Sequence, residues 1–545
     1  MHGAREQAQR SDVVVTNHSL LFWDIRCEGG LLPPVRYWVV DEAHGAETEA
    51  RRAFSLEVSS EAIHGLVRKL TNDSARTNVL IRAERTTIVE EEGKRLYTSL
   101  VHKAQSAAQA FGIAGEEFTL RAKDLLYFDE AKRSRGYEYF DLWLSDEIRA
   151  SETFRSVASS ARSLYDTTEK LIAAMRDIVA YTESLDDSSE EQRELALAAL
   201  ELRELYEGLD QVFFTTSENK VYAVRLNRTK DKLNEVFTVQ PLDVGISLNE
   251  SLYQETNSVI YTSATLAVDH HFDSFNQGIG LNEGEESKAR CIEIESNYDF
   301  DSNMAIFIPS DMPEPSDPHY LDALQTFLAQ LHVAQQGSLL TLFTNRKEME
   351  KCFDAVNPVV KAEGLRLVCQ KWGVSVKGLR DDFLKDEHLS LFALKSFWEG
   401  FDAPGSTLRG VVIPKLPFGL PTDPLSCERS QRDDRAWAHY SLPSAVIDVK
   451  QAVGRLIRRA DDNGIVVLAD TRLITKYYGK KFLNSLPSKN ISILPMDDII
   501  EQVCVLQQRA EQQRAGQQRA EKQHAEQQRA GQRVTQQSAT KPSVE

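Results

Sequence analysis

WVVDEAHG, Trp38 to Gly45, is an apolar run that ends abruptly in two carboxylates and a histidine. A β-strand that delivers Asp and Glu side by side at its carboxyl end can hold magnesium and an attacking water beside a nucleotide. Such a site also needs a cradle for the phosphates, commonly a glycine-rich loop of the form G-x-x-x-x-G-K-[ST].

Outward from that stretch, DVVVT (residues 12–16) and YWVV (37–40) read as short buried strands of the kind found in parallel sheets covered by helices. From about residue 46 to 215 the pattern changes. SSEAIHGLVRKL, GKRLYTSLVHKAQSAAQAF and EEQRELALAALELRELYEGL space apolar residues at three and four, with acidic residues on the other face. This predicts a helical insert. Strand patterns return with KVYAVRL and SVIYTSATL, so the insert is expected to interrupt one α/β domain made of residues 1–45 and 216–300. A second α/β domain is predicted over 301–500, where SLLTLFT, GLRLVCQ, LSLFAL, LRGVVIP and GIVVLAD are strand candidates. Residues 501–545 carry a Gln/Arg/Ala beat of five residues (Arg509, Arg514, Arg519, Arg529) that matches no coiled-coil period, and they read as a disordered polar tail.

The 545 residues exceed what one hydrophobic core organises. Hydrophobic residues make up 41 % and charged residues 27 %, and no apolar run approaches the roughly 20 residues needed to span a bilayer. The opening MHGAREQAQR lacks the apolar centre of a secretory signal, so the expected location is the cytoplasm. Cys27, Cys291, Cys352, Cys369, Cys427 and Cys504 lie far apart, with no C-x-x-C pair, and read as scattered reduced thiols. The net charge of −18 argues against a generally sticky nucleic-acid coat but allows a local basic groove. Residues 141–210 hold 17 acidic against 7 basic residues, so much of the negative excess belongs to the insert.

DEAH alone is a weak signal, because a buried strand often ends in a solvated acidic turn. In YTSATL (Tyr261 to Leu266) a second strand ends in small hydroxyl residues, and Ser263 and Thr265 are candidates to hydrogen-bond His44. Alone, that stretch reads more readily as an ordinary strand-end turn. LFTNRKEME (Leu342 to Glu350) is a strand running into a helix start. FWEGFDAPG (Phe397 to Gly405) is an irregular loop rich in carboxylates and glycines. In QAVGRLIRR, Gln451, Arg455 and Arg458 fall at i, i+4 and i+7, which predicts one helical face. Arginine suits stabilisation of a transferring phosphoryl group, although in isolation the segment reads as a solvated basic helix.

The order DEAH, SAT, LFTN, FWEGFDAPG, QxxGRxxR over two α/β domains resembles superfamily 2 helicases, and more narrowly the DinG and XPD group of iron–sulfur DNA helicases. DVVVTNHSLLF (Asp12 to Phe22), KLPFGLPTDPL (Lys415 to Leu425) and VVLADTRLITKYYGKKFLNSLP (Val466 to Pro487) are also similar to DinG-type sequences. The resemblance implies an α/β fold with two RecA-like parallel-sheet motor domains gripping ATP between them and an arch-like helical insert over the DNA path. It implies that Asp41 coordinates magnesium, Glu42 activates water, and His44 couples to Ser263 and Thr265. It further implies that Arg455 and Arg458 reach the γ-phosphate, that Gln451 and Gly454 line the nucleotide, and that Asp402 reports its state. Thr344, Asn345, Trp398 and Gly400 would meet nucleic acid. Phe397, Trp398 and Phe418 could stack on bases, although packing against the sheet is the plainer role. Single-stranded DNA and DNA junctions are the implied partners, in a DNA-repair setting.

The sequence departs from that group in two respects. It contains no G-x-x-x-x-G-K-[ST] loop: Gly93-Lys94 is followed by Arg95 and Gly479-Lys480 by Lys481, without the second glycine at the required spacing. The four cysteines of the group's iron–sulfur cluster would precede DVVVTNHSLL, and the chain has none there. The expectation is therefore a helicase fragment whose N-terminal phosphate-binding and cluster segment was lost, is encoded separately or was left out by a late start-codon assignment. The alternative is a nucleic-acid-gripping scaffold that does not hydrolyse ATP.

Overall fold

The structure is a computed structural model and describes residues 2–72, 78–86, 91–128, 139–183, 190–227, 235–281, 289–371, 373–397, 405, 407–460, 462–510 and 512. The chain divides into two units. One takes residues up to Leu266 together with Asp273–Ala289 and Gly419–Ser441, and the other takes Ala267–Phe272, Arg290–Phe418 and the chain from Leu442 onward. The fold is α/β with parallel sheets in both.

In the first unit, β1 (Tyr37–Asp41) pairs in parallel with the strand Ser258–Thr262, residue for residue from Tyr37 opposite Ser258 to Asp41 opposite Thr262. Between them in sequence come β2 (Leu56–Ser59), β3 (Tyr139–Trp143), β4 (Lys220–Asn227) and β5 (Val236–Pro241), which makes Ser258–Thr262 β6. These four form an antiparallel sheet in the order β2-β5-β4-β3. The long helices predicted for the insert are present as Ser60–Thr71, Glu91–Ala122, Glu152–Glu183 and Glu190–Leu209. Their apolar faces meet around Phe111, Phe118, Leu164, Leu171 and Leu202. Gly115 permits a close helix crossing, because a Cβ there would come within 2.8 Å of Ile63.

Two strand expectations need correction. KVYAVRL does not mark a return to the parallel sheet: it is β4, whose Tyr222, Val224 and Leu226 pack into the insert's own core. The insert therefore contains a sheet as well as helices. A one-faced apolar period of two needs a covering helix layer, and the nearest one belongs to the insert. DVVVT is not a strand, and Val13 and Val15 stand 79 % and 92 % exposed. No strand among the described residues lies beside it, and β-propensity without a pairing partner does not make a strand.

In the second unit, seven strands form one parallel sheet in the order β13-β7-β12-β11-β8-β10-β9. They are β7 (Met304–Pro309), β8 (Leu339–Leu342), β9 (Arg366–Cys369), β10 (Leu389–Ala393), β11 (Gly410–Ile413), β12 (Gly464–Leu468) and β13 (Ile491–Leu494). Every residue of β8, β10 and β11 is buried, which explains the continuous apolar runs in sequence. Alternate residues serve opposite faces. Leu340, Leu342 and Val411 meet Phe383, Val449 and Phe482, whereas Leu339 and Val412 meet Leu324, Phe327, Met349 and Val356. Each such side chain contributes about 1.5–3 kcal/mol by leaving water.

A helix over 496–510 also docks on this unit. Ile499 and Val503 join its core, and buried Gln507 accepts a hydrogen bond from Arg409. Packed structure thus runs past residue 501, because the IIEQVCVLQ stretch still presents an apolar stripe. The residues after 512 lie outside the described ones.

Candidate active site

Asp41 closes β1 and Thr262 closes β6, and the Thr262 hydroxyl donates to Asp41 Oδ1 at 2.8 Å. The chain then turns sharply. Glu42 takes a left-handed conformation (φ 50°, ψ 43°) and leads into the short turn Ala43–Gly45 and the helix Ala46–Phe54. A left-handed glutamate is uncommon and costs backbone energy, which makes it a marker of functional constraint. Its carboxylate projects into solvent, with the side chain 70 % exposed.

Ser263 Oγ is the hub of the remaining contacts. It lies 3.1 Å from His44 Nδ1, 3.3 Å from Glu42 Oε2 and 3.4 Å from Thr265 Oγ1, and it accepts from the Thr265 amide at 3.3 Å. A hydroxyl has one proton and two lone pairs. One arrangement satisfies all the short contacts: Ser263 donates to Glu42 and accepts from the Thr265 amide and from His44 Nδ1–H. His44 also lies 3.3 Å from the Glu42 carboxylate. The structure thus brings Asp41, Glu42, His44, Ser263 and Thr265 together. Thr265 is buried and linked to His44 through Ser263.

The first unit also contains a buried ionic cluster behind this turn. Glu47 Oε1 accepts from Arg51 Nη2 and from Arg429 Nη2 at 2.6 Å, and Arg429 lies over the Tyr440 ring at 4.0 Å. Burial lowers Arg51 from the ordinary arginine range, with Glu47 opposing that shift. Arg432 pairs with Glu428, which also accepts from the Trp143 indole at 2.8 Å. In sequence the basic run Arg429, Arg432, Arg435 falls within the second α/β domain predicted over 301–500, where it could serve as a local basic groove. Instead it belongs to the first unit, and two of its three charges are engaged internally.

In the second unit, the helix carrying Gln451 spans Leu442–Val453 and stops before the arginines. The expected single face of Gln451, Arg455 and Arg458 is therefore not formed. Gly454 is a poor helix former, the next turn tightens through the Leu456 amide to Val453 O, and Leu456 and Ile457 are drawn into the core. Arg455 is buried, whereas Arg458 is exposed. Buried Asp462 accepts from the Arg458 and Arg459 amides at 2.9 and 2.8 Å, and Tyr298 donates to Arg458 O at 2.9 Å. The Arg458 backbone is thus fixed while its side chain stays at the surface.

Thr344 and Asn345 are exposed just beyond β8, and Asn345 caps the helix Arg346–Ala362 by accepting from the Glu348 amide at 3.1 Å. Trp398, Gly400 and Asp402 lie outside the described residues. Phe397 is buried in the core, and Phe418 packs edge-on against Tyr478 and Phe482, so both pack on the sheet rather than stand open. Sequence reasoning missed Thr262 and Asp462. Thr262 becomes visible only through the β1–β6 register, and the signal for Asp462 was the turn-forming ADDNG that follows the arginines.

The helicase C-terminal domain family matches residues 328–489. A Bacillus subtilis protein named "3'-5' exonuclease DinG" is 27 % identical over 90 % of this chain and 53 % of its own length. "ATP-dependent DNA helicase DinG" of Photobacterium profundum is 27 % identical over 89 % of this chain and 69 % of its own. "ATP-dependent DNA helicase YoaA" of Escherichia coli is 28 % identical over 89 % of this chain and 68 % of its own. The chain thus spans about half the length of the first of these curated relatives and about two thirds of the other two. The chain thus matches the helicase C-terminal domain family over 328–489 and is similar, over nine tenths of its length, to proteins named DinG and YoaA.

Proposed function

We propose that this chain carries the motor parts of a DinG-type ATP-dependent DNA helicase, in which ATP hydrolysis drives movement along single-stranded DNA and duplex unwinding. The observation that carries this reading is the register-paired end of β1 and β6, where Asp41, Glu42, His44 and Ser263 converge. The homology over nine tenths of the chain supports it.

In this reading Asp41 orients a magnesium ion and Glu42 activates the attacking water. Magnesium is commonly held by one or two carboxylates, phosphate oxygens and waters, and an exposed Asp41 steadied by Thr262 fits that donor set. When bound, the ion neutralises charge on the transferring phosphoryl group. Ser263 relays the position of Glu42 to His44 and Thr265. Arg455 and Arg458 supply positive charge, Gln451, Gly454 and Asp402 line the nucleotide, and Thr344, Asn345, Trp398 and Gly400 meet the DNA strand. An iron–sulfur cluster does not fit this sequence, since it needs four thiolates within reach, and among the described residues no three metal-binding side chains gather. We place the protein in the cytoplasm, acting on single-stranded DNA and junctions in repair.

Because the 545 residues hold no P-loop, phosphate amides and the P-loop lysine would come from a further polypeptide segment. Losing one oxyanion-type donor costs about 10²- to 10³-fold in rate, and here several are absent. The test is ATP hydrolysis with single-stranded DNA, by the chain alone and then with a P-loop-bearing segment fused or added. Turnover that appears only on completion and is lost in Glu42→Gln is expected. Turnover by the chain alone, abolished by Glu42→Gln, overturns the need for that segment. DNA binding with no turnover in either case favours the alternative of an inactive scaffold.

A further inference from the structure

We propose that His18 is a positioning residue for the Asp41–Glu42 pair; this rests on the reading of Glu42 as the residue that activates water. His18 Nε2 lies 2.8 Å from the backbone carbonyl oxygen of Asp41. A carbonyl only accepts, so the ring nitrogen donates, and it does so both as the neutral Nε2–H tautomer and as the imidazolium. The peptide group that carries this carbonyl joins Asp41 to Glu42, and its orientation sets φ of Glu42. That φ is 50°, in the left-handed region. A donor on the Asp41 carbonyl therefore bears directly on the turn that sends the Glu42 side chain away from the strand.

The surroundings of His18 fit this role rather than a local one. The helix His18–Arg26 is already capped by Asn17, which accepts from the Leu20 amide at 2.8 Å, so the imidazole is not needed to start it. The helix is anchored by Leu21, Phe22 and Ile25 in the interior, and at its far end Arg26 donates to Ala53 O and Ser55 O. The next residue, Ser19, donates to Glu49 Oε2 at 2.8 Å, on the helix that follows the DEAH turn. Residues 18 and 19 thus hold the turn from both sides: one grips the strand end before Glu42, the other the helix after Gly45. The contact between His18 and Asp41 spans 23 residues, and nothing in the DEAH motif itself announces it.

Two amide substitutions separate this role from bulk and polarity. In His18→Gln the side-chain amide nitrogen reaches the place of Nε2, while in His18→Asn it stops short, near the place of Nδ1. The first readout is amide hydrogen exchange across residues 42–46 in the full chain, which does not depend on ATP hydrolysis. His18→Asn is expected to speed exchange there about tenfold, the effect of losing one hydrogen bond, and His18→Gln to restore it. The second readout is turnover after completion with the P-loop-bearing segment, where His18→Asn should lower kcat with little change in KM and His18→Gln should recover kcat. Equal exchange in wild type and His18→Asn, or equal damage from both variants, overturns the proposal. Wild-type protein that never hydrolyses ATP counts against the helicase reading alone, and the exchange measurement still decides the role of His18.

Discussion

Thr262 and Asp41 face each other as the last register pair of a two-stranded parallel sheet, and the threonine hydroxyl donates to the aspartate at 2.8 Å. The contact fixes which carboxylate oxygen stays open. Thr262→Val removes the hydroxyl without changing shape. Since hydrogen bonds to charged groups contribute about 1.5–3 kcal/mol when sheltered and less at an exposed site, the completed enzyme should need about fivefold more magnesium for half-maximal turnover. Thermal stability should barely move, because Thr262 is exposed. A magnesium dependence identical to that of wild type would remove this role from Thr262.

Arg429 and Arg435 should behave differently although they lie six residues apart. Arg429 is tied to Glu47 and lies over Tyr440, so Arg429→Ala should destabilise the first unit by about 1–3 kcal/mol and change DNA affinity little. Arg435 is exposed. If it meets a phosphate of single-stranded DNA, Arg435→Ala should flatten the slope of log affinity against log salt by about 0.7 and leave stability alone. Titrations at several salt concentrations, paired with thermal melts, check both. The reverse assignment would show that the ionic cluster opens on binding.

Five strands of the second unit, β8 to β12, were legible in sequence because a parallel strand buried on both faces writes a continuous apolar run, whereas β7 and β13 were missed. DEAH and TSAT were legible as strand ends, but their pairing was not, since register depends on contacts more than 200 residues apart. Where local pattern and tertiary context disagreed, context won. The apolar DVVVT stayed unpaired, KVYAVRL joined the insert, and the QAVGRLIRR helix broke at Gly454 because Leu456 and Ile457 were needed in the core. A side chain that acts on a distant backbone atom, such as His18 on the Asp41 carbonyl, leaves no spacing signal.

The cysteines should divide by burial. Burial pushes the Cys352 and Cys369 thiols up to about 12, whereas Cys27 and Cys291 are exposed. The thiolate is the reactive form, so iodoacetamide at pH 8 should label Cys27 and Cys291 quickly and leave Cys352 and Cys369 intact until the protein unfolds. Because the folded state holds these two protons more tightly, the associated stability is complete below about pH 8.5 and is lost as pH rises toward about 12. Peptide mapping after timed alkylation decides it, and early labelling of Cys352 would contradict its burial.

His332 should make the second unit acid-sensitive. It lies fully buried on the helix Tyr320–Ala334, with Nε2 3.2 Å from Thr341 Oγ1 and its ring edge-on to Phe392. Burial holds its pKa down at about 3. The unfolded chain takes up a proton near the ordinary histidine value of about 6.5, whereas the folded chain does not until far lower pH. The stability this protects is therefore complete above about pH 6.5 and is lost as pH falls from there toward 3, with a limiting slope of about 1.4 kcal/mol per pH unit. Carboxylates ordinarily titrate near 4, so the interval from about pH 6.5 to 5 reports mainly on histidine. His332→Gln keeps a donor near Thr341 and removes the titration. Urea unfolding of the full chain at pH 7 and pH 5 should show a fall in stability for wild type that the glutamine variant largely lacks. Equal falls in both proteins would mean that His332 is not the group that protonates on unfolding.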